Sequence, residues 1–156
     1  MKSFIRALGR EAESRATALA TNRGGETATL YFGGGTPSML SDTHLGRLME
    51  TLDRLVPVDK LDEFSFEANP ATFTEKKVRF WRSLGMTRVS LGVQSLDSGI
   101  LHLLGREHTP AQALHSVEML KNAGMAHINM DLMFAIPGQS LSVWENTLRE
   151  AVRAGT

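Results

Sequence analysis

Four short stretches constrain this chain more than anything else in it. They are Tyr31-Phe32-Gly33-Gly34-Gly35-Thr36-Pro37, Phe66-Glu67-Ala68-Asn69-Pro70, Gly92-Val93-Gln94-Ser95 and Asn129-Met130-Asp131-Leu132. Each ends an apolar, β-prone run with glycine or a polar group, directly ahead of a helical pattern. In a parallel α/β arrangement the carboxyl ends of such strands converge on one rim, where small ligands bind. The sequence therefore points to the place of its own chemistry.

Around these stretches, strand and helix signals alternate along the chain. A helix over about residues 3–20 carries Phe4, Ile5, Leu8 and Leu19, and Asn22-Arg23-Gly24-Gly25 ends it. Residues 27–32 read as a strand, and Ser41 caps a helix running to about Leu55. Residues 63–67 form the next strand, followed by a helix capped by Thr74 and closed by Gly85. Residues 87–93 are the third strand, with a short helix from Asp97 to Leu104 after it. Thr109-Pro110 opens a further helix that Gly124 stops. Residues 126–132 are the fourth strand, and Pro137-Gly138 turns into a last helix in which Ser142 and Glu145 have capping-box spacing.

Four strand–helix units make a parallel sheet through right-handed crossovers, whose strands are expected to be buried on both faces. The fold class is α/β in one domain covering residues 1–156, an arc of a barrel with open edges and scope for self-association. The chain opens on a helix, so the strand before it is expected to lie outside this sequence.

At 156 residues there is room for one compact domain. The 17 basic and 17 acidic residues balance, so no net field draws nucleic acid or an anionic membrane. The apolar runs are too short to span a bilayer, and the first residues lack the core of a secretory signal. With no cysteine there is no disulfide framework, thiolate nucleophile or cysteine-held metal, and a cytoplasmic location is expected.

Each candidate site residue has two readings. Gly33-Gly34-Gly35 lets a ligand approach the backbone and can bind an anion through successive N–H groups, or it is a turn joining strand to helix. It matches neither the dinucleotide nor the phosphate-loop glycine pattern. Glu67 and Asp131, at two strand ends, can accept from an ammonium group or a ribose diol or act as a base; each is equally a cap or rim ion pair. Gln94 can read an amide edge or a carboxylate, or simply make the turn. Arg106 can clamp a carboxylate bidentately or remain solvated. The five histidines show no metal-ligand spacing, and His102 and His108 read as surface residues. Trp81, Trp144 and the methionines read as packing.

Taken in order, five motifs resemble the radical S-adenosylmethionine (SAM) enzymes. Within these, they resemble the oxygen-independent coproporphyrinogen III oxidases and their haem-chaperone relatives. The five are residues 31–38, Phe66-Glu67-Ala68-Asn69-Pro70, residues 88–96, Leu104-Gly105-Arg106-Glu107-His108 and residues 129–139. The wording EANP, GVQSLD and LGREH resembles the haem-chaperone branch more closely. The resemblance implies part of a (β/α)6 partial barrel. It also implies SAM contacts at Gly34, Gly35, Thr36, Glu67, Gln94, Arg106 and Asp131, with a porphyrin or haem as a further partner.

One departure bears on mechanism. The family holds a [4Fe–4S] cluster with a CxxxCxxC motif, and this sequence has no cysteine. The first strand with its cluster loop, the closing strand and the C-terminal substrate region are expected to lie outside the chain. The expectation is thus a radical SAM oxidase-like protein of haem metabolism that cannot cleave SAM alone. The alternatives are a cysteine-free SAM- or partner-binding scaffold, a non-catalytic haem-chaperone relative, or an unrelated phosphate-binding barrel fragment.

Overall fold

The computed structural model describes residues 2–21 and 28–156. It contains four strands, β1 (Thr29–Phe32), β2 (Glu63–Ala68), β3 (Arg88–Gln94) and β4 (His127–Leu132). Among the described residues six α-helices accompany them, α1 (Lys2–Thr21), α2 (Asp42–Asp53), α3 (Glu75–Ser83), α4 (Ser98–Leu103), α5 (Pro110–Asn122) and α6 (Leu141–Ala154), with short 3-10 turns at Pro37–Met39 and Val58–Lys60. All strand pairings are parallel, in the order β1-β2-β3-β4, so each strand lies beside the next along the chain. The turn expected at residues 22–25 and the first residue of the expected strand, Thr27, lie outside the described residues.

The helix starts follow from local chemistry. A helix leaves its first N–H groups unpaired, and a short polar side chain just before it accepts from one of them. Ser41, Thr74, Asp97 and Thr109 do this for α2, α3, α4 and α5. At α5, Gln112 reaches back to the Thr109 N–H and completes a capping box ahead of Pro110. The last helix departs from the sequence expectation. Its cap is Ser140, which accepts from the Val143 N–H, so Ser142 lies inside the first turn and Ser142–Glu145 is not a capping box.

Side chains alternate along each strand, and register aligns like with like across the sheet. One face carries Leu30 and Phe32, Phe64 and Phe66, Val89 and Leu91, then Ile128 and Met130. Against it pack Leu45 and Met49 of α2, Val78 and Trp81 of α3, and Ala113, Val117 and Leu120 of α5. Trp81 is fully buried, with its ring 4.8 Å from that of Phe66 and 5.1 Å from that of Phe73. Truncating such a buried aromatic side chain to alanine typically costs about 3–5 kcal/mol.

The opposite face is polar. It presents Tyr31, Ser65, Glu67, Arg88, Ser90 and Asn129 in register, with Asp131 two residues further along β4, where the β3–β4 register shifts. Burial on both faces, expected for parallel strands, is met on the apolar face of β2 and β3, while the polar face is half-buried or exposed apart from buried Ser65. The methionines divide in the same way: Met49, Met86 and Met125 are buried, whereas Met39 and Met133 are exposed. Trp144 is half-buried, its ring 6.0 Å from that of exposed Phe134.

Candidate functional site

The polar face deepens into a cavity of about 180 Å³ where the strands end. Gly35, Thr36, Glu67, Gln94 and Asp131, five of the seven nominated residues, line it together with Asn69, Ser90 and Gly92. Period-two alternation brings these groups to one side, and parallel pairing brings them to one end.

Glu67 leaves the end of β2 toward the glycine loop. The Gly34 N–H donates to its Oε2 at 3.0 Å, and the Tyr31 hydroxyl donates to its Oε1. Gly34 and Gly35 have φ of +78° and +56°, the left-handed region that favours glycine. Their Cα atoms face open space, so a ligand can approach the backbone there. Gly33 is needed for another reason: a Cβ there would fall 2.9 Å from Glu67 Oε1 and collide with the Tyr31 ring.

Across the cavity, Asp131 is held by two neighbours. The Ser90 hydroxyl lies 2.8 and 2.9 Å from its two oxygens, so one proton is shared between them. Asn129 Nδ2 donates to Oδ1 at 2.7 Å and also reaches Ser90 Oγ at 3.1 Å. Gln94 stands between the two carboxylates at a β-bulge, with φ of +66°. Bulges re-aim a side chain, and here the bulged residue lines the cavity.

Arg106 takes a different position from the cavity-lining residues. Its Nη2 donates to Asn69 Oδ1 and to the Gly92 carbonyl, both at 2.8 Å. Arginine only donates, which fixes the Asn69 oxygen toward Arg106 and its amide nitrogen toward Thr36 Oγ1, 3.4 Å away. Asn69 thereby ties the glycine loop, β2 and the loop after α4. A Cβ at Gly92 would lie 2.9 Å from Asn69 Oδ1, so glycine keeps this tie clear. Arg106 braces the wall through one nitrogen, and its remaining N–H groups are not engaged in these bonds.

His108 is 6% exposed, which corrects its reading as a surface residue. Its Nε2 lies 3.1 Å from the Val93 carbonyl; since a carbonyl only accepts, Nε2 carries the proton. Burial holds the imidazole below its ordinary pKa, outweighing the Val93 bond that favours the charged form, and Arg106 adds to the lowering. The residue pins the loop that carries Arg106 to the end of β3.

Sequence reasoning nominated neither Tyr31, Asn69, Ser90 nor Asn129 as site residues. Their signal was available as the same alternation that places Glu67 and Asp131: Tyr31 is two residues before Gly33, Asn69 two after Glu67, Ser90 two before Gly92, and Asn129 two before Asp131.

A strand-end site on a parallel sheet, with a glycine loop at β1 and carboxylates at β2 and β4, defines the class, and the family profile agrees. The radical SAM superfamily profile matches residues 9–151, and the chain belongs to that family. More particularly, it is 40% identical over 115 residues to the haem chaperone HemW of Lactococcus lactis, covering 74% of this chain and 30% of that protein. HemW of Bacillus subtilis is 36% identical over 125 residues, covering 80% and 33%. Among solved structures, the coproporphyrinogen III oxidase HemN of Escherichia coli, described as a radical SAM enzyme, superposes with a TM-score of 0.85. That match has 26% identity over 99% of this chain and 35% of the oxidase. The chain thus spans about a third of the length of the curated relatives it matches. None of the helices among the described residues is long and apolar enough to cross a membrane.

Proposed function

We propose that these 156 residues act as one unit, the SAM-binding core of a haem-related radical SAM protein of the HemW type. The observation that carries this reading is the meeting of Gly35, Thr36, Glu67, Gln94 and Asp131 around one cavity. The donor set fits an adenosyl amino acid. The Glu67 carboxylate, beside the open glycine backbone, suits the ammonium of the methionyl end. Asp131 and Gln94 suit the hydroxyls and polar edges of the nucleoside end. An ionised carboxylate has about four acceptor positions, so Glu67 can bond an ammonium while holding Tyr31 and Gly34. A larger apolar groove of about 750 Å³ shares the wall formed by Gly35, Thr36 and Pro37, and gives room beyond the polar cavity.

The residues do not fit an iron–sulfur cluster. Such clusters are held by thiolates, and the 156 residues include no cysteine. Among the described residues, no three His, Asp or Glu side chains gather as a metal site. Thiolates would have to come from outside these residues, so the function proposed for the chain itself is binding and orienting SAM, not cleaving it. Haem or a porphyrin is the further partner suggested by the names of the relatives. HemN-type oxidase chemistry is the second reading, favoured by the overlap with the coproporphyrinogen oxidase structure.

Titration calorimetry with SAM tests the proposal. Binding is expected for the wild-type chain, with losses of at least tenfold for Glu67→Ala and Asp131→Ala, since a bond to a charged group contributes about 1.5–3 kcal/mol. No heat at millimolar SAM would remove the proposed pocket.

A further inference from the structure

Tyr31 lies outside the set of residues the resemblance assigns, yet three observations join it to Glu67. Its hydroxyl donates to Oε1 while the Gly34 N–H holds Oε2 at 3.0 Å, so the carboxylate is fixed at both oxygens, from β1 and from the glycine loop that follows it. Its ring lies across Gly33, where any Cβ would displace both the ring and the carboxylate. It is also 59% exposed, so packing does not dictate this pose. We propose that Tyr31 is a positioning residue, which turns the Glu67 carboxylate toward the cavity and so sets the preference for a ligand bearing an ammonium group. The inference rests on the SAM reading of the site.

The physical logic is one of preorganisation. A glutamate on an open face has rotameric freedom, and a ligand that binds it must also order it. With Oε1 and Oε2 each already bonded, that ordering precedes binding. The remaining acceptor positions are then fixed in direction, so an ammonium placed there is favoured over a neutral group. The Glu67 carboxylate opposes loss of the phenolic proton and raises the Tyr31 pKa to about 12, which keeps the hydroxyl a donor.

Tyr31 is the single tyrosine of the chain, so its spectrum can be read alone. The test combines Raman spectroscopy of the tyrosine doublet with calorimetry of SAM and of an analogue lacking the α-amino group. Wild type is expected to show a strongly donating phenol, and Glu67→Ala to lose that signature. Tyr31→Phe is expected to weaken SAM about tenfold and to narrow the gap between SAM and the deamino analogue. Unchanged helicity by circular dichroism would exclude unfolding as the cause. An unaltered doublet in Glu67→Ala, or an unchanged SAM/analogue ratio in Tyr31→Phe, would overturn the positioning role while leaving wild-type SAM binding intact. Failure of wild type to bind SAM would instead overturn the SAM reading and this inference with it.

Discussion

A hydroxyl bonded to a carboxylate titrates late, and at residue scale this gives Tyr31 a pH signature. Its pKa is raised to about 12, first by the bond to Glu67 and then by burial and by the charges of Glu67 and Asp131. The folded value lies above the ordinary ~10 of an unfolded tyrosine. The bond therefore contributes fully below pH ~10 and is lost as pH rises through about 12. Phenolate absorbance of wild type is expected to rise near 12, and that of Glu67→Gln to rise nearer the ordinary value; identical midpoints would refute the assignment. The rim residues Glu67, Gln94 and Asp131 were legible in the sequence because each closes a β-prone run. The face of Ser90 and Asn129 was legible by the same alternation, but their place beside the carboxylates was not, because it depends on Glu67 pairing with Ser90 and Ser90 with Asn129, a register set by the sheet as a whole. His108 was missed because its loop folds back onto Val93, a contact with no local sequence sign.

At the scale of elements, the four strands and six α-helices among the described residues were legible from periodicity and punctuation, with boundaries off by a residue or two, whereas the single 3-10 turns Pro37–Met39 and Val58–Lys60 were not. The last helix shows where such reading stops. Ser140 and Ser142 are both competent caps by residue type, and spacing alone selected Ser142. The structure puts Ser140 in the extended conformation a cap needs (φ −77°, ψ 159°), with Leu141 as the first helical residue. Ser140→Ala is therefore expected to cost about 1 kcal/mol in urea unfolding. Ser142→Ala should stay within about 0.5 kcal/mol, the range of ordinary surface changes. The reverse order would restore the capping box read from the sequence.

For the whole molecule, the decisive fact is an imbalance between family and composition: the chain belongs to the radical SAM superfamily, and its 156 residues include no thiolate to hold a cluster. Anaerobic incubation of this chain with iron and sulfide is expected to produce no cluster absorbance. Added SAM is expected to be recovered intact in the presence of a reductant. Formation of 5′-deoxyadenosine above a protein-free control would show that other ligands can replace cysteine here.

The two-sided character of the sheet has one more consequence. A sheet greasy on one side and hydrophilic on the other offers a guest polar groups to match and little grease to expel. Such a guest trades hydration for hydrogen bonds made by Glu67, Ser90, Asn129 and Asp131, so its grip comes from matched polarity more than from expelled grease.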